Sequence, residues 1–278
     1  MKLYKQQSGI IVDDQGKYYT IKEKEWDVFV NRDQLYSKIK QELQTLLQDE
    51  NGADLLKEDF MTPIGNQEIW ASGVTYYRSR EARKEESKAA GGGDFYEKVY
   101  DAERPELFFK STAARAVGNG EKVNIRKDST WDVPEPELTL FISSQGSIEG
   151  YTIGNDMSSR SIEGENPLYL PQAKSYDRSA AIGPCLWVPE HAIDPEEEIS
   201  LEILREGSVA FEGQIAINQI KRSFEELARF LFREMTFKYG CYLMTGTGII
   251  PPNNFTLQSN DEIRITIGPI GTLVNYVN

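Results

Sequence analysis

The sequence predicts an α+β chain, with a small N-terminal α/β unit over residues 1–65 and a β-rich domain over residues 66–278. Three observations carry that prediction. The first sixty residues combine one hairpin pattern with one amphipathic helix pattern. Beyond Pro105 the chain is almost all strand-like runs, interrupted by one clear helix. No alternating strand–helix order and no Gly-x-Gly-x-x-Gly or phosphate-loop motif occurs, which argues against a doubly wound nucleotide-binding domain.

In chain order, "GIIVDDQGKYYTI" alternates like a hairpin around Asp14–Gly16. "RDQLYSKIKQELQTLLQ" places Leu35, Ile39, Leu43, Leu46 and Leu47 on one helical face. "MTPIGNQ", Met61 to Gln67, has the proline and glycine punctuation of a domain edge. "IWASGVTY" reads as a strand that runs into the charged stretch "RSREARKEESKAA". Gly91–Gly93 break the chain before "DFYEKVYDAE", where Asp94 is placed to cap a helix. Residues 79–101 therefore read either as a lid over a site or as a plain surface excursion. The strand-like runs "ELFFK", "LTLFIS", "IEGYTI", "AAIGPCLWV", "EISLEILRE", "VAFEGQI" and "DEIRITIG" follow. Between them, "SFEELARFLFREMTFKYG" opens with Ser223 and Glu226 in capping-box spacing and closes with Gly240 at a C′-like position.

Composition excludes several functions. A net charge of −13 is the opposite of a nucleic-acid footprint and gives no attraction to an anionic membrane. No apolar run is long enough to span a bilayer, and the N-terminus lacks a signal-peptide core, so a cytoplasmic protein is expected. Cys185 and Cys241 sit in apolar contexts and read as buried free thiols. The one histidine, His191, lies in the loop-like "WVPEHAID". Histidine-dependent nucleophilic catalysis and histidine-rich zinc sites have almost nothing to build on.

What remains is carboxylate chemistry. Glu135 and Glu137 in "VPEPEL" alternate along a strand and project to one side. If the turn between "LTLFIS" and "IEGYTI" centres between Gln145 and Gly146, paired residue numbers sum to about 291, and Asp156 opposes Glu135. Three converging carboxylates repel one another unless a cation joins them. All-oxygen ligation selects a hard ion: Mg²⁺, with Mn²⁺ or Ca²⁺ as alternatives. The competing reading is a set of solvated acids at a strand end, or ion pairs with Arg160 and Lys174.

"VPEPEL", "GYTIGNDMSSR", "QAKSYDRSAAIGP" and "TGTGIIPPNNFTLQSNDEIRITIGPIGTLVN" together resemble the core signature of the fumarylacetoacetate hydrolase superfamily. The resemblance runs from about Gly73 to the C-terminus. It implies a β-rich, roll-like catalytic domain and a divalent metal on Glu135, Glu137 and Asp156. It also implies that Lys174 lies beside the substrate, that Thr247 contacts it, and that Ser158 and Arg160 brace the metal loop. Many hydrolases of the superfamily carry a Gly-x-Asn-Tyr segment followed by a histidine and a glutamate. Here "GVTYYRSREAR" has Thr75 in place of the asparagine and no histidine, which departs from the water-activating pattern.

"RSREAR", "YDAERPELFFKSTAARAVG" and "GENPLYLPQAK" are similar to a branch of the superfamily that dehydrates 2-keto-3-deoxy sugar acids. That similarity implies conversion of a 2-keto-3-deoxy pentonate to 2,5-dioxopentanoate through a metal-stabilised enolate. Lys174 would act as base or enolate stabiliser, Glu106 as the acid for the departing hydroxyl, and Arg78 and Arg80 as substrate contacts. An acylpyruvate hydrolase, a 2-keto-acid decarboxylase or isomerase, and a non-catalytic 2-keto-acid binder are the alternatives. Relatives imply a homo-oligomer, dimer or tetramer.

Overall fold

Pro136–Ile142 is buried along its whole length, as expected for a central strand covered on both faces. It anchors the larger of two sheets in the computed structural model, which describes residues 1–23, 25–56, 61–79, 81 and 98–278. The predicted helix cap at Asp94, the glycine break at Gly91–Gly93 and the proposed substrate contact Arg80 lie outside the described residues, as does most of the 79–101 excursion.

The strands begin with β1 (Lys2–Gln6), β2 (Gly9–Asp14), β3 (Lys17–Ile21), β4 (Glu68–Gly73), β5 (Glu106–Thr112) and β6 (Ala116–Val117). Next come β7 (Lys122–Val123), β8 (Asp132–Val133), β9 (Pro136–Ile142), β10 (Ile148–Asp156), β11 (Ser158–Ser159) and β12 (Ala180–Trp187). The last are β13 (Glu198–Arg205), β14 (Ser208–Ala216), β15 (Cys241–Met244), β16 (Glu262–Ile267) and β17 (Gly271–Val277). Helices α1 (Trp26–Val30), α2 (Leu35–Leu43), α3 (Gly52–Leu55), α4 (Arg160–Glu165), α5 (Leu170–Lys174) and α6 (Phe224–Leu231) fill the connections.

The main sheet runs β3-β2-β1-β12-β10-β9-β15-β4-β5, with β6 alongside β12. A second sheet runs β14-β13-β16-β17-β7. One face of the main sheet, through Leu138, Leu140, Ile142, Ile153 and Cys185, packs on Ile199, Leu201, Ile263, Ile265 and Leu273 of the second. The opposite face buries Leu3, Ile10, Phe141, Tyr242 and Met244 under Trp26, Phe29, Leu35 and Ile39 of α1 and α2. The α+β, β-rich prediction is therefore what the chain forms. The N-terminal segment joins it directly, because β1 pairs with β12 and its apolar residues share a core with β4, β9 and β15.

Local differences from the sequence reading have physical reasons. Helix α2 stops at Leu43, so Leu46 and Leu47 lie beyond its buried face and are 38% and 93% exposed. Strand β4 ends at Gly73 because Val74 takes a left-handed φ of 53°. Helix α6 is capped at Ser223 as expected, its hydroxyl accepting from the Glu226 N–H at 3.1 Å. It ends at Leu231, so Gly240 is not its C′ residue; at φ 76° it turns the chain into β15 instead. Strands β1 and β15 and helix α1 were not expected, since each is too short or too uniformly apolar to show a period.

Candidate metal and substrate site

The hairpin β9–β10 brings the three acids together. From Phe141↔Gly150 to Pro136↔Asn155 every pair sums to 291, as expected. The Asp156 N–H donates to the Glu135 carbonyl at 2.9 Å, continuing that register. The turn itself is one residue tighter, with Ser143 N–H donating to the Ser147 carbonyl at 2.8 Å and Ile142 opposing Ile148. A bulge at Glu149 supplies the missing residue and restores the sum.

Glu135, Glu137 and Asp156 each offer an oxygen within 4.8 Å of the others, and all three are buried. They extend the face that buries Phe141 and Met244, at the end of the sheet away from the turn. Ser72, Gly73, Val74, Ser79, Phe108, Arg160, Gly246 and Thr247 complete the lining of the cavity they face. Gly246 allows a close approach: its φ is 96°, an added Cβ would lie 2.1 Å from Thr75 Oγ1, and its N–H donates to Glu137 Oε2 at 2.5 Å.

Three cations balance these acids. Lys174, at the end of α5, is completely buried and donates to Glu135 Oε2 at 2.5 Å, Asp156 Oδ2 at 3.0 Å and Ser158 Oγ at 2.5 Å. Arg160 Nη2 donates to Glu135 Oε1 at 2.6 Å. Lys110, also fully buried, sits 2.7 Å from Asp156 Oδ1 and donates to the Met157 carbonyl at 2.9 Å and to the Lys174 carbonyl. A fourth acid, Glu163, closes the network 3.6 Å from Lys174 Nζ and 3.8 Å from Arg160 Nε.

Burial, then the charges of Asp156 and Glu135, push Glu137 well above the ordinary carboxylate range. Burial lowers the Lys110 ammonium against the opposing pull of Asp156. A hard divalent cation fits this donor set. It would meet oxygen atoms only, and would relieve the repulsion that now falls on Glu137.

Lys174 donates to Ser158 Oγ and Arg160 to Glu135, so the ion pairs with Arg160 and Lys174 that the competing sequence reading expected are present around the converged acids. Glu106 starts β5 opposite Gly73, and a Cβ on that glycine would touch its Oε2 at 2.0 Å, so its carboxylate flanks the cavity wall. Thr247 lines the cavity. Arg78 is exposed and does not line it. Lys110 and Glu163 were missed. A lysine inside the apolar run "ELFFK" and a glutamate three residues after Arg160 were the available signals.

The fold and this site define the class: the chain matches the fumarylacetoacetate (FAA) hydrolase C-terminal family over residues 69–278, and it belongs to that family. Among its relatives, the probable 2-keto-3-deoxyxylonate dehydratase of Haloferax volcanii is 48% identical over 231 residues, 81% of this chain and 78% of that one. The 2-dehydro-3-deoxy-D-arabinonate dehydratase of Saccharolobus solfataricus is 46% identical over 217 residues, 77% and 73% of the two chains. A solved 2-keto-3-deoxy-D-arabinonate dehydratase, complexed with magnesium and 2,5-dioxopentanoate, superposes with a TM-score of 0.83 at 36% identity, covering 100% of this chain and 99% of that one.

Among the described residues no helix is long and apolar enough to cross a membrane.

Proposed function

We propose that this chain is a Mg²⁺-dependent dehydratase that converts 2-keto-3-deoxy-D-arabinonate to 2,5-dioxopentanoate. The observation that carries the reading is the buried set of Glu135, Glu137 and Asp156 beside Lys174 in one cavity. The names of the dehydratase relatives, and the magnesium and product in the similar solved structure, support the substrate.

Dehydration removes a proton from C3 and the hydroxyl from C4, leaving a C3–C4 double bond. Tautomerisation then converts the C5 alcohol to an aldehyde, and the atoms lost sum to one water. When bound, the metal held by the three carboxylates would supply Lewis acidity to the 2-keto carboxylate, acidifying the C3 proton. Lys174 spends its hydrogen bonds on three acceptors, which is the arrangement of an ammonium and not of a free base. Its assigned role is therefore electrostatic: it orients Glu135 and Asp156 and places positive charge where enolate charge develops. Glu106, at the wall formed by Gly73, is assigned proton donation to the departing C4 hydroxyl. Thr247 is assigned to substrate contact from the cavity lining. Arg78 is assigned to substrate contact from the exposed segment that follows the cavity residue Val74.

The same proposal places the enzyme in the cytoplasm as a homo-oligomer, dimer or tetramer, with residues 1–65 as an addition to the catalytic part over 66–278. The family match, which begins at residue 69, supports that boundary.

The test uses chelator-stripped protein with 2-keto-3-deoxy-D-arabinonate, with and without Mg²⁺, following substrate loss and semialdehyde formation beside a Glu137→Gln variant. Metal-dependent semialdehyde that disappears in the variant is the expected result. Metal binding without semialdehyde overturns the substrate and turns attention to acylpyruvates and oxaloacetate.

A further inference from the structure

Strand β4 ends in a glycine that its own backbone does not require. The glycines that take a positive φ do not include Gly73, and the left-handed residue here is its neighbour Val74, at φ 53°. An alanine would fit the Gly73 backbone without strain. What the glycine leaves is space. A Cβ added to it would lie 2.0 Å from Glu106 Oε2, 2.7 Å from Glu106 Cδ and 3.4 Å from Glu106 Cγ, its three nearest neighbours. Gly73 and Glu106 oppose each other in the β4–β5 register, so the Glu106 carboxyl lies folded across the bare Cα of its cross-strand partner.

The surroundings of the pair are held in place. The buried Ser72 hydroxyl donates to the Glu106 carbonyl at 3.0 Å, which fixes the backbone from which the side chain starts. Gly73 lines the cavity together with Ser72, Glu135 and Glu137. The direction of the Glu106 side chain is what a substituent at residue 73 would change. The atoms it would meet are the far end of a flexible chain, so rotation of Glu106 relieves the collision without movement of the sheet.

We propose that Gly73 is a positioning residue, whose missing side chain seats the Glu106 carboxyl against the cavity wall. This goes beyond the proposed function, which gives Glu106 a task but names nothing that holds it there. It rests on that reading for the task itself, proton donation to the departing hydroxyl.

Fold and chemistry then respond differently to one methyl group. Gly73→Ala keeps the unfolding midpoint at or above the wild-type value, because alanine is the better strand residue where φ is not left-handed. It keeps Mg²⁺ affinity, because the atoms nearest the added Cβ all belong to Glu106 and none to Glu135, Glu137 or Asp156. Turnover falls by about a hundredfold, the size expected when a general acid is withdrawn, and it falls in kcat more than in KM. Glu106→Asp supplies the second arm. Its carboxyl carbon would take the place of Glu106 Cγ, which an added Cβ meets at 3.4 Å, an ordinary contact. In that background Gly73→Ala costs less than about threefold further, so the two changes are not additive.

The experiment measures steady-state kinetics on 2-keto-3-deoxy-D-arabinonate for the full chain, Gly73→Ala, Glu106→Asp and the double variant. A crystal structure of Mg²⁺-loaded Gly73→Ala stands beside them. The expected result is a large loss of kcat with Glu106 present and a small one with Glu106→Asp. In the crystal the Glu106 carboxylate should have turned away from residue 73 while the three metal-binding acids stay in place. Equal losses in both backgrounds, or a rise in KM alone, overturn the proposal, since they are the marks of a methyl that obstructs substrate. Unchanged turnover in Gly73→Ala overturns it as well. A wild-type chain that does not turn over this substrate removes the dehydratase reading, and the crystal then decides separately. A Glu106 carboxylate that keeps its position in the Gly73→Ala structure overturns the positioning role whatever the substrate.

Discussion

Two bulged strands in this molecule use one device for opposite ends. In β5 the extra residue is Lys110, and its side chain goes inward to the acids. In β10 the extra residue is Glu149, and its carboxylate goes outward to the start of α2. There it accepts from the Gln34 N–H at 3.1 Å and the Leu35 N–H at 2.8 Å. Around Glu149 the neighbouring acid Asp33 is likewise satisfied by hydroxyls, from Ser143 at 3.0 Å and Ser147 at 3.1 Å. That is a cap and a docking contact. Around Lys110 the acids are held by full charges in a dry interior, and among the described residues Glu137 accepts one hydrogen bond, from the Gly246 N–H. The difference teaches what separates a structural acid cluster from a chemical one. Neutral donors in the first match the carboxylates present, whereas the second keeps acceptor capacity in hand for a cation.

The largest expected effect tests the dry end. In metal-free protein Lys174→Met removes the cation shared by Glu135 and Asp156 and leaves each with one buried cation, Arg160 and Lys110 respectively, which is expected to cost about 3–5 kcal/mol. Urea unfolding in chelator reads the loss, and added Mg²⁺ is expected to recover part of it by supplying a new partner for the acids. A variant as stable as the wild type without metal would show that the network contributes no net stability, and the contrast between the two bulges would lose its energetic basis.

How much of this was visible beforehand follows from the same residues. The pairing of Glu135 with Asp156 was legible because strand alternation and one turn position determine it. The estimate landed on the right register although the turn is a residue tighter than assumed, since the Glu149 bulge supplied the difference. The bulges themselves were not legible. An inserted residue has no periodic signature, so Lys110 looked like an ordinary lysine at a strand end. Likewise α2 stops at Leu43, and the apolar spacing of Leu46 and Leu47 carries no local mark of that stop. The dehydratase reading came from resemblance, because three carboxylates and a lysine specify a cation and an anion but no particular sugar acid.

A second, intermediate effect concerns pH. Glu137 ionises in the folded, metal-free chain well above the ordinary carboxylate range, because of burial first and then of Asp156 and Glu135. A carboxyl whose pKa is raised on folding is more easily protonated folded than unfolded. Its contribution to stability is therefore complete below pH 4.5 and is lost as pH rises through the folded-state value. Metal-free protein is expected to lose this contribution toward neutral and alkaline pH, and Glu137→Gln to flatten that part of the profile. Saturating Mg²⁺ is expected to remove the slope in the wild type, since the ion favours the ionised form. Stability measured across pH in chelator and in Mg²⁺ separates the cases; a wild-type slope unaffected by the substitution would place its origin elsewhere.

The smallest effect is at the outward bulge, and it sharpens the comparison from the other side. Glu149 caps α2 from a neighbouring strand, doing for the Gln34 and Leu35 N–H groups what a local cap does in most helices; Gln34 itself, at φ 54°, makes no side-chain cap. Glu149→Ala removes both acceptors and the bond from Ser147 Oγ at 2.7 Å. Because water can reach these groups, the cost should be that of a lost cap, about 1 kcal/mol. The register of β9 with β10 is set by several buried pairs between this bulge and the acids, so the site should not shift. Mg²⁺ affinity and turnover are therefore expected to stay at wild-type values while the unfolding midpoint falls slightly. If instead metal binding weakened, the bulge would be setting the position of Asp156 along the strand, and the two ends of the hairpin would have to be treated as one device.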